Sequence, residues 1–112
     1  MSEGGATLIW CPFPTYDAAC EAANCLVEEG LVACANILPQ MTAIFAWEGR
    51  VDKAEEVGAL FKTDARQLDA AIARLEVLHP YELPAIMAWG AEGTAPATAC
   101  WLASLVRGAN AT

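Results

Sequence analysis

Leu31–Thr63, LVACANILPQMTAIFAWEGRVDKAEEVGALFKT, is the stretch on which the fold turns. Leu31 to Leu38 is apolar except for Asn36, the pattern of a strand covered on both faces. Pro39-Gln40 interrupts it, because proline has no backbone N–H to give a neighbouring strand, so a bulge or kink belongs there. Thr42 to Trp47 resumes in strand-forming residues. Glu48-Gly49-Arg50 then turns the chain, with Gly49 supplying the unusual backbone angle. From Val51 to Thr63 the side chains alternate, with Glu55, Val57, Ala59 and Phe61 on one face and Glu56, Gly58, Leu60 and Lys62 on the other. This is a β-hairpin of roughly 13–16 residues a side, against about 5–6 for an ordinary strand. At about 3.3 Å per residue it extends beyond anything two helices can cover. Apolar strands left exposed at that length would aggregate unless another chain pairs with them, so the ribbon predicts a symmetric oligomer.

The flanks supply the rest of a domain. Thr7 to Phe13 reads as a first strand, stopped by Pro12 and Pro14. Thr15 sits where its hydroxyl can accept a backbone N–H, and a helix runs from it to about Glu29, with Gly30 as its terminator. Ala19, Ala22, Ala23, Leu26 and Val27 form its apolar stripe. Asp64 caps a second helix carrying Leu68, Ala71, Ile72, Leu75 and Leu78, which His79-Pro80 ends. Ala85 to Trp89 is a short apolar strand, Gly90 to Ala95 a loop, and Pro96 opens a last short helix with Trp101, Leu102, Leu105 and Val106. The order β-α-β-β-α-β plus a terminal helix predicts an α+β, ferredoxin-like sandwich in one domain, residues 1–112 with an ordered core of about 7–107.

Composition narrows the function. The net charge is −8, with six basic residues and no basic run, so the counterion-displacing surface of a nucleic-acid binder is missing. The N-terminus lacks the positive charge and long apolar core of a secretory signal, and Pro39-Gln40 breaks the one uncharged run of near membrane-span length. Without a secretion signal, five cysteines in no C-x-x-C pair read as free thiols in a cytoplasmic protein.

His79-Pro80-Tyr81-Glu82-Leu83-Pro84 holds an imidazole, a phenol and a carboxylate in a segment stiffened by prolines. It is a rigid ligand-contacting turn on one reading and a helix stop leading to a strand on the other. Imidazole and thiolate suit copper and zinc, which makes His79, Cys11 and Cys34 candidate ligands, although small buried cysteines do not need a metal to explain them. Glu56 and Lys62 on the long strand and Trp47 at the hairpin tip are candidate cleft contacts. No nucleophile–base pattern, phosphate-binding glycine loop or coenzyme motif is present, so an enzyme is not expected.

Ala33-Cys34-Ala35-Asn36-Ile37-Leu38-Pro39, Trp47-Glu48-Gly49-Arg50-Val51, Glu55-Glu56-Val57, Phe61-Lys62-Thr63 and His79-Pro80-Tyr81-Glu82-Leu83-Pro84, in that order, resemble the CutA divalent-cation tolerance family. The resemblance runs from about Leu8 to Leu105. It implies a homotrimer built through the long hairpin, a link to tolerance of copper and other divalent cations, and an architecture like that of the PII signalling proteins. Through it Cys11 corresponds to a proposed copper ligand and His79 to the histidine of the family's HPY motif. Leu78 stands where some members have a second histidine, Ala85 where Glu is frequent, Gln40 where Gly is common, and Thr98-Ala99 where an aromatic precedes Trp101. The expected function is a weakly cation-binding trimer in the response to metal ions, with Cu(II) or another divalent cation as ligand and no organic cofactor. The alternative is a PII-like regulatory trimer holding a small organic ligand or anion in clefts between subunits, lined by Lys62, Tyr81, Glu82, Trp47, Glu56 and Cys34.

Overall fold

In the computed structural model, which describes residues 4–110, buried and partly buried residues alternate along β1 (Ala6–Phe13). Ile9, Cys11 and Phe13 enter the core while Leu8, Trp10 and Pro12 face the other way. Thr15 accepts from Ala18 N–H at 3.1 Å and starts α1 (Tyr16–Glu28). The chain closes back with Leu31 N–H and Val32 N–H on the Leu26 carbonyl, then enters β2 (Cys34–Trp47) and β3 (Arg50–Asp64). Asp64 caps a short 3-10 turn, Ala65–Gln67, which leads into α2 (Leu68–Leu78). β4 (Met87–Gly90) and α3 (Pro96–Asn110) complete the chain. The side chain of Val106, placed above in the last helix, lies outside those described.

The sheet order is β2-β3-β1-β4, antiparallel throughout, with both crossovers helical, as the ferredoxin-like order requires. The alanine-rich face of α1 brings Ala19, Ala22, Ala23 and Leu26 close to Ile9, Phe13, Val57, Ala59 and Phe61, and α2 adds Ala71 and Leu75. Leu102 of α3 is buried outside this cluster, and α3 contacts β3 and β1, which places it across the other face of the sheet.

Two sequence expectations need correction. Pro12 does not stop β1, which continues to Phe13 opposite Gly58 and Val57. β4 pairs only with Thr7 to Trp10. The Pro12 carbonyl is bonded by His79 on the side that β4 leaves free, and a strand residue's N and O point the same way. The missing N–H therefore costs no rung with β3. Leu31 to Leu38 is likewise not a strand covered on both faces. It begins as a loop that buries Val32, then becomes the edge strand β2, with Asn36 and Leu38 exposed.

The hairpin itself forms as its sequence indicates. Pro39 and Gln40 oppose Val57 alone, a bulge between the Leu38↔Gly58 and Met41↔Glu56 pairs. At the tip Trp47 pairs with Arg50 across Glu48 (φ 51°) and Gly49 (φ 79°), a two-residue turn with both centres left-handed. Beyond the bulge the ribbon leaves the helices, giving the molecule an extent of 46 Å along its longest axis against 28 and 26 Å across.

Gly58 marks a close approach on the open face, because a Cβ there would run into the Trp10 ring. Gly58→Ala is expected to destabilise the protein by about 1–3 kcal/mol through displacement of that ring. Urea denaturation at one fixed protein concentration checks it.

Candidate functional site

The end of α2 and the segment behind it build one wall of a cleft. Pro80 cannot continue a helix, so the chain turns out at His79, whose backbone N–H still bonds the Leu75 carbonyl at 2.9 Å. The imidazole folds back onto the core and stacks on Phe13, with centroids 4.3 Å apart and planes 23° apart. Its Nε2 lies 2.7 Å from the Pro12 carbonyl oxygen, and the Tyr81 backbone N–H donates to Nδ1 at 3.1 Å. A carbonyl only accepts and a backbone amide only donates, so Nε2 carries the hydrogen and Nδ1 the lone pair. The ring is buried, and both of its nitrogens are bonded.

Tyr81 then crosses to the hairpin, and its hydroxyl donates to Glu56 Oε2 at 2.8 Å. Burial, reinforced by the hydrogen bond and charge of Glu56, pushes the Tyr81 phenol up to about 12. The opposite wall is the hairpin's open face, where the register aligns Ala43 with Ala54 and Met41 with Glu56, and the same period-2 stripe carries Phe45 and Trp47. Between the walls lies an open cleft of about 670 Å³, whose lining includes Phe45, Trp47, Glu56, Tyr81, Glu82 and Leu83. Its charged groups are carboxylates, and among the described residues no Lys or Arg lines it.

The structure brings four of the predicted residues together here: Trp47, Glu56, Tyr81 and Glu82. Cys34 and Lys62 pair with each other across β2 and β3, on the same face as Glu56 but six positions along the strand, about 20 Å away. They do not join the cleft of their own chain. Sequence reasoning missed Phe45, Leu83 and the Pro12 carbonyl. The alternation of Ala43, Phe45 and Trp47 would have found the first, whereas nothing local marks a backbone oxygen as a histidine's partner.

The expected ligands Cys11 and His79 do converge, on the Pro12 carbonyl. Cys11 Sγ lies 3.6 Å from that oxygen and His79 Nε2 2.7 Å. Their arrangement does not fit a copper ion. Cys11 is fully buried in the apolar core, and burial, with a smaller contribution from the Glu56 charge, raises its thiol to about 12, far from the thiolate that metals bind. His79 has no free nitrogen. Among the described residues no group of three or more His, Cys, Asp and Glu side chains is placed to hold a metal.

The protein is thus a small four-stranded antiparallel α+β sandwich whose hairpin overreaches its own helices and forms a cleft with the turn after α2. The family model described as CutA1 divalent ion tolerance protein matches residues 7–104. The divalent-cation tolerance protein CutA of Thermus thermophilus is 40% identical over 75 residues, covering 67% of this chain and 73% of the relative. That of Pectobacterium atrosepticum is 31% identical over 102 residues, 91% of this chain and 93% of the relative. The crystal structure of CutA from Xylella fastidiosa superposes with a TM-score of 0.86 at 33% identity, over 90% of this chain and 97% of that one. The chain belongs to the CutA1 divalent ion tolerance family.

Proposed function

We propose that this protein acts in the cytoplasm as a homotrimer in the response to divalent metal ions, binding copper or another divalent cation weakly and catalysing no reaction. The observation that carries the assembly is the hairpin beyond the bulge, where Ile44 is 72% and Val51 76% exposed on one face, and Phe45 40% and Trp47 55% on the other. A ribbon apolar on both faces, at the edge of the sheet, calls for a second chain. The number three rests on the family resemblance. Weak cation binding is supported by the negative cleft and by the family's association with divalent cations. No ligand set converges within one chain among the described residues, so cations meet oxygen donors presented by the assembly.

Calorimetric titration with Zn(II), which leaves the thiols unoxidised, tests this. Binding is expected to be weak, to fade as salt is raised, and to be the same in Cys11→Ala as in the parent. Tight binding lost in Cys11→Ala would overturn it and place the ion in the core.

A further inference from the structure

His79 is the only histidine in the sequence, and its hydrogen bonds admit one protonation state. A proton added at Nδ1 would face the Tyr81 N–H, donor against donor, and the bond that positions Tyr81 would be lost. The same residue carries the phenol that ties this wall of the cleft to Glu56 on the hairpin. The two bonds are therefore in series: imidazole Nδ1, Tyr81 amide, Tyr81 hydroxyl, Glu56 carboxylate.

The groups around the ring decide whether any other titration could work this series. On β1, Cys11 shares the Pro12 carbonyl with the ring and stays a thiol, raised to about 12. Tyr81, whose ring centroid is 5.0 Å from that of His79, stays a phenol up to about 12. β3 contributes Glu56 through Tyr81, the turn contributes Glu82 to the cleft, and the last turn of α2 carries Glu76 on its exposed side. A proton on Nδ1 would set two donors against each other in the docked position.

We propose that His79 is a proton-operated latch on the cleft. Its neutral ring holds the Pro80–Pro84 turn and Tyr81 against Glu56, and protonation at Nδ1 releases the turn and opens that wall. The docked turn requires the neutral ring, so it dominates at high pH and is lost as pH falls through the ring's titration. Glu56 and Tyr81 are set free together, which exposes a carboxylate to whatever enters the cleft.

A single histidine makes the test direct, because the imidazole nitrogen resonances of the ¹⁵N-labelled protein need no assignment. Following them from pH 8 downward, together with hydrogen exchange of the Tyr81 amide, should show Nε2–H with bare Nδ1 at pH 8. Ring protonation and loss of Tyr81 amide protection should then share one midpoint. Tyr81→Phe weakens the docked state without changing charge. It should move the midpoint up by about half a pH unit or more, as loss of one hydrogen bond requires. Glu56→Gln should keep the step, and His79→Gln should abolish it. The latch is refuted if the ring protonates while the Tyr81 amide stays protected, or if Tyr81→Phe leaves the midpoint in place. It is equally refuted if the step vanishes in Glu56→Gln, which would make the carboxylate the sensor.

Discussion

Ile44→Lys and Phe45→Lys together should leave the proposed trimer as single chains of 11.8 kDa that keep their fold. These neighbours on β2 point to opposite faces of the hairpin, and both are exposed in one chain, Ile44 at 72% and Phe45 at 40%. Neither belongs to the core cluster shared by α1, α2, β1 and β3, so their replacement leaves that cluster intact. An interface that covers both faces would have to take two ammonium groups per chain out of water, at several kcal/mol each once relaxation is allowed. It would also lose apolar burial worth about 25 cal/mol per Å². Together these terms exceed what an interface of ordinary size retains after its entropic costs. Size-exclusion chromatography with light scattering reads the mass, and far-UV circular dichroism confirms that the helices persist. A variant that keeps the parent's mass would show that the ribbon is not the interface.

Phe61→Ala should be the most damaging single change to the chain itself, at about 3–5 kcal/mol. Phe61 is fully buried, pairs with Ile9 on one side and Ala35 on the other, and packs in the cluster that joins the sheet to α1 and α2. Its neighbours include several alanines, which have no side-chain reach to collapse into the space it leaves. Against a typical total of about 5–15 kcal/mol, that loss removes a large share of the stability. Phe61→Leu, which keeps most of the volume, should lose less than half as much. Guanidinium unfolding at matched protein concentrations compares the two, since assembly adds stability by mass action.

The hairpin was legible in the sequence because each of its parts is punctuated locally. Pro39 forces the bulge, Glu48-Gly49 makes a left-handed turn, and the alternation around Val57, Ala59 and Phe61 fixes which face meets the helices. What covers a strand is not a local property. Leu31 to Leu38 reads as doubly covered because its apolar residues serve two different ends, Val32 in the core and Leu38 at an exposed edge. Pro12 reads as a stop because only the sheet order reveals that β4 is too short to reach it.

The cleft was legible as a list of residue types and illegible as a geometry. Tyr81 and Glu56 meet across a separation of 25 positions, and no pattern in either segment announces the other. Cys11 and His79 suit a metal by their chemistry, which the sequence states, while their burial and bonding, which it does not state, engage them with the Pro12 carbonyl and the core. Imidazole and thiol are as useful to a buried wall as to a metal. Only the partners of each atom tell the two uses apart.

If the exposed ribbon is an assembly surface, the mass of the unmodified protein in dilute solution will reveal it. Sedimentation velocity should find a species of about 35 kDa, three times the 11.8 kDa chain, that persists on dilution. A stable, soluble 11.8 kDa monomer at the same concentrations would show that the ribbon binds no second copy.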